Sequence, residues 1–140
     1  MPLGEYVPEF VDCRQTITSS DKGESRKHQA ENINRNLVSR YIIDGNVIKK
    51  GNKCDFLVMN EVKRTAYFIE LKGSDLSHAV KQLETTEMVL GNLLGGYSLQ
   101  YRAICSKVRT QELDTPIVRK FKRSKGNAFQ HKTNKIVENI

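Results

Sequence analysis

Apolar residues in this chain gather into short runs and stripes divided by polar turns. Two runs stand out, Phe56-Leu57-Val58-Met59 and Tyr67-Phe68-Ile69, separated by the polar stretch Glu61-Val62-Lys63-Arg64. Both have strand length, so the segment predicts a hairpin. Behind it, Leu76, Ala79, Val80, Leu83 and Leu90 recur at helical spacing, with Ser74 as the expected N-cap and Gly95-Gly96 as the stop. Ser98 to Val108 reads as a fourth strand. Pro116 opens a further helix that ends at Gly126-Asn127, and two strand-like pieces, 128–130 and 135–140, follow.

Upstream the pattern is weaker. Residues 1–20 carry two prolines and no clear period, which suits an extended arm or a short strand. Asp21-Lys22-Gly23-Glu24 has capping-box spacing. Ala30, Ile33, Leu37 and Tyr41, with Val38 alongside, form a stripe that predicts a first helix. Asp44-Gly45-Asn46 ends that helix, Val47-Ile48 begins a short strand, and Lys50-Gly51-Asn52 turns into the run that holds Asp55. The expected fold is α/β over residues 1–140, with a mixed central sheet of four or more strands flanked by helices.

The two central runs carry charges that strands usually exclude. Asp55 stands at the head of the first, and Glu70 and Lys72 close the second. Burying an unpartnered charge is very costly, so such groups meet each other or a metal. Strand alternation puts Glu70 and Lys72 on one face and Leu71 on the other, and hairpin pairing brings Asp55 to the same neighbourhood. Two carboxylates are hard oxygen ligands suited to magnesium or manganese. A lysine beside them can orient or activate a water, or stabilise charge developing on a phosphate.

With Asp55 before Glu70-Leu71-Lys72, the stretch 31–106 resembles the PD-(D/E)xK nuclease superfamily, with its restriction endonuclease-like or resolvase-like fold. Cys54 stands where a proline often precedes the acid. The resemblance implies an αβββαβ core and a Mg2+- or Mn2+-dependent endonuclease cutting phosphodiester bonds in nucleic acid, with DNA favoured over RNA and neither singled out by the residues. It implies Asp55 and Glu70 as metal ligands, with the Leu71 carbonyl and Glu31, and Lys72 as the residue acting on the attacking water. It also makes Gln82 a supporting residue and a homodimer one arrangement. Read from the residues alone, Glu31 is equally a surface acid and Gln82 equally an exposed glutamine. Two other classes stand beside the nuclease. One is a silent nucleic-acid-binding module, the other a protein-interaction domain in which Lys72 merely neutralises Glu70.

Charge sharpens the picture. Residues 1–100 hold 13 basic and 13 acidic side chains, whereas residues 101–140 hold 10 and 3, so the whole excess of +7 lies there. The run Arg119, Lys120, Lys122, Arg123 and Lys125 fits phosphate-backbone binding, or else a solvated helix face. No apolar stretch approaches the roughly 20 residues of a membrane span, and the N-terminus has no secretory pattern. Cys13, Cys54 and Cys105 are odd in number and widely spaced, which favours a reduced, cytoplasmic setting with Cys54 and Cys105 as packing residues. His28, His78 and His131 show no zinc spacing and read as surface or satisfied histidines.

Overall fold

The computed structural model describes residues 3–4, 6–21, 23–43 and 54–140. The expected turns at 44–46 and 50–52 and the strand at Val47-Ile48 lie outside these residues. A six-stranded sheet has the order β1-β4-β5-β6-β7-β8. Its strands are β1 (Phe10–Asp12), β4 (Val38–Ile42), β5 (Phe56–Asn60), β6 (Thr65–Lys72), β7 (Ser98–Cys105) and β8 (Phe129–Thr133). The β1/β4, β4/β5 and β5/β6 pairs are antiparallel, and the β6/β7 and β7/β8 pairs are parallel. Parallel neighbours need crossovers. α1 (Leu76–Leu90) supplies the first, and α2 (Thr110–Leu113) with α3 (Pro116–Lys125) supplies the second.

A second sheet is built from β2 (Thr16–Ser20), β3 (Lys27–Glu31) and β9 (Lys135–Asn139), in the order β2-β3-β9. It changes the expected architecture. Among the described residues helices cover only one face of the large sheet, where Leu76, Leu83, Val118 and Phe121 pack on Leu57, Met59, Phe68 and Tyr101. The three-stranded sheet covers the other, with Ile17, Ala30 and Ile136 against Val58, Tyr67, Ile69 and Ile104. Coverage on both faces explains why all five residues of β5 are buried, since a strand enclosed on both sides loses its polar alternation.

The predicted first helix does not form. Its residues are β3, a loop, and β4. Ala30, Val38 and Tyr41 are buried as expected, but Ile33 and Leu37 are 63% and 40% exposed. The reason is local. Asn32 Oδ1 accepts from the Asn36 amide, its Nδ2 donates to the Arg14 and Asn36 carbonyls, and Arg35 takes φ 53°. Asparagine side chains bonding their own loop favour a turn over a helix. β4, β5, β6, α1 and β7 follow one another, but β4 is built from residues expected to be helical, and the expected strand at Val47-Ile48 lies outside the described residues. A smaller correction concerns the start of α1, where Asp75, and not Ser74, caps by accepting from the His78 amide at 2.9 Å. Pro116 opens α3, and Gly126, at φ 57°, ends it, as expected.

A buried polar network bolts the two sheets together. Glu138 of β9 accepts from Arg102 Nε at 2.7 Å and Nη2 at 2.9 Å, and lies 2.7 Å from His28 Nε2 of β3. Burial alone would raise the Glu138 pKa, but hydrogen bonds from His28 and Arg102 bring it down from 4.5 to about 2. A depressed carboxyl adds stability that is present above the unfolded value and fades as pH falls through the folded one. Urea titrations should therefore show stability falling between pH 4.5 and pH 2, by on the order of 3 kcal/mol. In Glu138→Gln this acid loss should shrink sharply; an unchanged profile would place the acid sensitivity elsewhere.

Candidate active site

The site stands where β6 ends and β5 begins, on the helix-covered face. Pairing of Phe56 with Ile69 sets the register, and the Asp55 amide donates to the Ile69 carbonyl at 3.0 Å. Asp55 therefore sits opposite Glu70-Leu71, and its Oδ2 accepts from the Leu71 amide at 2.8 Å. Lys72 Nζ lies 3.8 Å from Glu70 Oε2, with the lysine side chain 27% exposed and the glutamate 2%. Asp55, Glu70 and Lys72 stand close together, with the Glu70 side chain buried and Asp55 and Lys72 partly exposed. Leu71 contributes its amide to Asp55.

α1 anchors the strand that carries Asp55. The Thr86 hydroxyl donates to the Gln82 carbonyl at 2.8 Å and accepts from the Cys54 amide at 2.7 Å. A proline at position 54 has no N–H to make that bond, so cysteine here adds a tether from strand to helix. Cys54 is fully buried, and burial pushes its thiol well above the usual range. It is a packing residue, as is Cys105, while Cys13 is exposed.

Glu70 is the unusual group. Burial first, then the Asp55 charge, raise its carboxyl from 4.5 to about 9, against a smaller pull downward from Lys72. A hydrogen bond with Asp55 also favours the protonated form, and the charge of Asp21, at the end of β2, adds to the shift. Oε1 of Glu70 is buried without a hydrogen-bond partner, as is Oε1 of Gln82 on α1. Two crowded carboxyl groups and a buried acceptor lacking a donor fit a cation. Among the described residues no three or more His, Cys, Asp and Glu side chains cluster as a metal site; Asp55 and Glu70 present two carboxylates. That suits magnesium, which commonly binds through one or two carboxylates and keeps several waters.

Glu31 is not brought to this site. It ends β3 in the second sheet, where its carboxylate accepts from Thr16 and Gln29. Its expected place depended on the first helix, which is absent.

The basic run divides. Val118 and Phe121 bury one side of α3, which leaves Arg119, Lys120, Lys122 and Arg123 exposed. Pro116, Arg119, Lys120 and Arg123 line a surface groove of about 410 Å³. Lys125 is occupied otherwise, bonded to Glu87 at 2.9 Å and lying over the Tyr101 ring. His28 is buried against Glu138, and among the described residues no helix is long and apolar enough to cross a membrane.

No family model matches the chain, and neither does any curated protein or solved structure.

Proposed function

We propose that the chain is a divalent-metal-dependent nuclease that hydrolyses phosphodiester bonds, with DNA as substrate. The observation carrying this reading is the meeting of Asp55, Glu70 and Lys72 at the end of β6, with Glu70 Oε1 buried and without a hydrogen-bond partner. Asp55 and Glu70 would hold magnesium or manganese, which when bound lowers the pKa of water and neutralises phosphate charge. Asp55 is oriented for this by the Leu71 amide and by the Cys54–Thr86 tether behind it. Lys72, part-exposed beside Glu70, directs N–H donors toward the attacking water or a phosphate oxygen. A purely structural Glu70–Lys72 pair fits less well. At 3.8 Å the pair is long, and it leaves the other carboxylate oxygen unsatisfied.

The test is a cleavage panel of single-stranded, duplex and branched DNA and structured RNA, with magnesium, manganese or a chelator. Metal-dependent cutting of at least one DNA is expected; no cutting of any substrate would leave a binding module as the better reading.

The exposed side of α3 holds the backbone. Replacing Arg119, Lys120, Lys122 and Arg123 with glutamine should weaken binding to unrelated duplexes and flatten the salt slope by about 0.9 per lost phosphate contact. Lys125→Gln should instead cost stability, because it removes the cation from Glu87 and leaves that carboxylate only the Tyr101 hydroxyl. Salt titrations in calcium, which suppress cutting, would separate the two. An unchanged slope in the fourfold variant would make this face merely a solvated one.

A further inference from the structure

The second sheet delivers a cation to the end of β6. Arg26 directly precedes β3. The Lys27 amide donates to the Asn134 carbonyl, and the Asn134 amide donates to the Cys105 carbonyl at 2.7 Å. Cys105 is in register with Lys72, so this end of the β2–β3 hairpin is tied to the ends of β6 and β7. The guanidinium lies against Gly73, the residue after Lys72; a Cβ there would stand 3.7 Å from Arg26 Nη1. The Cys105 thiol registers both neighbours. Burial raises it to about 11, Glu70 adds to the rise, and Arg26 opposes it.

This arginine is under-used. Its side chain is 14% exposed, yet Nε is buried without a hydrogen-bond partner. Its ion-pair partner is Glu24, 3.1 Å from Nη2 and 48% exposed. A pair with so exposed a carboxylate contributes little and is readily exchanged. A guanidinium presents a planar fork of donors that matches a phosphate's oxygens, and such charge-assisted bonds are stronger than neutral ones.

We infer that Arg26 grips a backbone phosphate of the nucleic acid next to Lys72, and that Glu24 occupies the guanidinium until the phosphate displaces it. The inference takes its substrate class from the nuclease reading. It assigns the β2–β3 hairpin, remote in sequence from the Asp55–Lys72 stretch, to the site.

The test is fluorescence anisotropy of a labelled duplex DNA in calcium, across a salt series, for wild type, Arg26→Gln, Arg26→Lys, Glu24→Gln and the Glu24→Gln/Arg26→Gln double variant. Arg26→Gln should lose about tenfold in affinity, and its salt slope should drop by about 0.9. Arg26→Lys should keep most of the slope while losing affinity, because a point charge replaces the fork. Glu24→Gln should bind a few-fold tighter, and that gain should vanish in the double variant. Thermal melts check that each variant is folded. Wild-type affinity and slope in folded Arg26→Gln, or a Glu24→Gln gain that persists without Arg26, overturns the inference. Binding in calcium does not depend on cutting. Loss of cutting in Asp55→Asn beside normal binding by Arg26→Gln removes the Arg26 role alone. Continued cutting by Asp55→Asn removes the metal-site reading alone.

Discussion

Glu70→Gln should lose cutting by about a thousandfold or more while making the metal-free protein more stable. The two effects share one cause. In the fold, burial and then the Asp55 charge push the Glu70 carboxyl up to about 9 from its ordinary 4.5. A raised carboxyl contributes stability that is full below the unfolded value and is lost as pH climbs through the folded one. Glutamine cannot ionise, so it removes that loss. At pH 8 without divalent ions the gain should be roughly 2–4 kcal/mol, and near pH 4 it should disappear. Urea unfolding at both pH values in chelator checks the stability, and cleavage assays in magnesium check the activity. A variant that is less stable at pH 8 would mean that Glu70 is ionised and satisfied in the fold. Such opposition between activity and stability is the usual trade-off at a functional site.

The largest purely structural effect should come from Arg102→Gln. Arg102 is 5% exposed and donates to the Tyr101 and Ala128 carbonyls as well as to both Glu138 oxygens. Removing it leaves Glu138 charged and part-buried and frees two carbonyls, all at the seam between the sheets. Breaking one side of a buried ion pair typically costs about 3–5 kcal/mol, a large share of the 5–15 kcal/mol that holds a typical domain. Urea denaturation at neutral pH is the measurement. A cost under about 1 kcal/mol would show that Ile17, Ala30 and Ile136 hold the second sheet without the network. Cutting by the fraction still folded should stay near normal, since Arg102 lies on the face opposite the site.

The centre of this fold was legible because its signals are local. β5 and β6 are adjacent apolar runs around a polar turn, and Asn60 Oδ1 completes that turn by accepting from the Val62 and Lys63 amides. The α1 stripe is equally local, and all five of its named residues are buried. The failure between Ala30 and Tyr41 had a physical source. Apolar residues three or four apart matched a helix by coincidence, whereas the asparagines at 32, 34 and 36 favoured a turn.

The second sheet was harder still. β3 pairs in parallel with β9, putting Lys27 beside Lys135, and no local pattern announces a partner that far along the chain. Everything that depends on this pairing was invisible in sequence. That includes the displacement of Glu31, the His28–Glu138–Arg102 bolt, and the arrival of Asp21 and Arg26 near β6. The basic run is legible as charge alone, but that Lys125 belongs to Glu87 follows from α3 turning that residue toward α1.

On the proposed reading, Asp55 and Glu70 together would hold the divalent ion used for cutting. The most direct measurement is anomalous diffraction from crystals soaked in manganese. The expected result is a peak touching the Asp55 carboxylate and Glu70 Oε1, absent in Glu70→Gln. Crystals saturated with manganese that show no ion between these two side chains would contradict it.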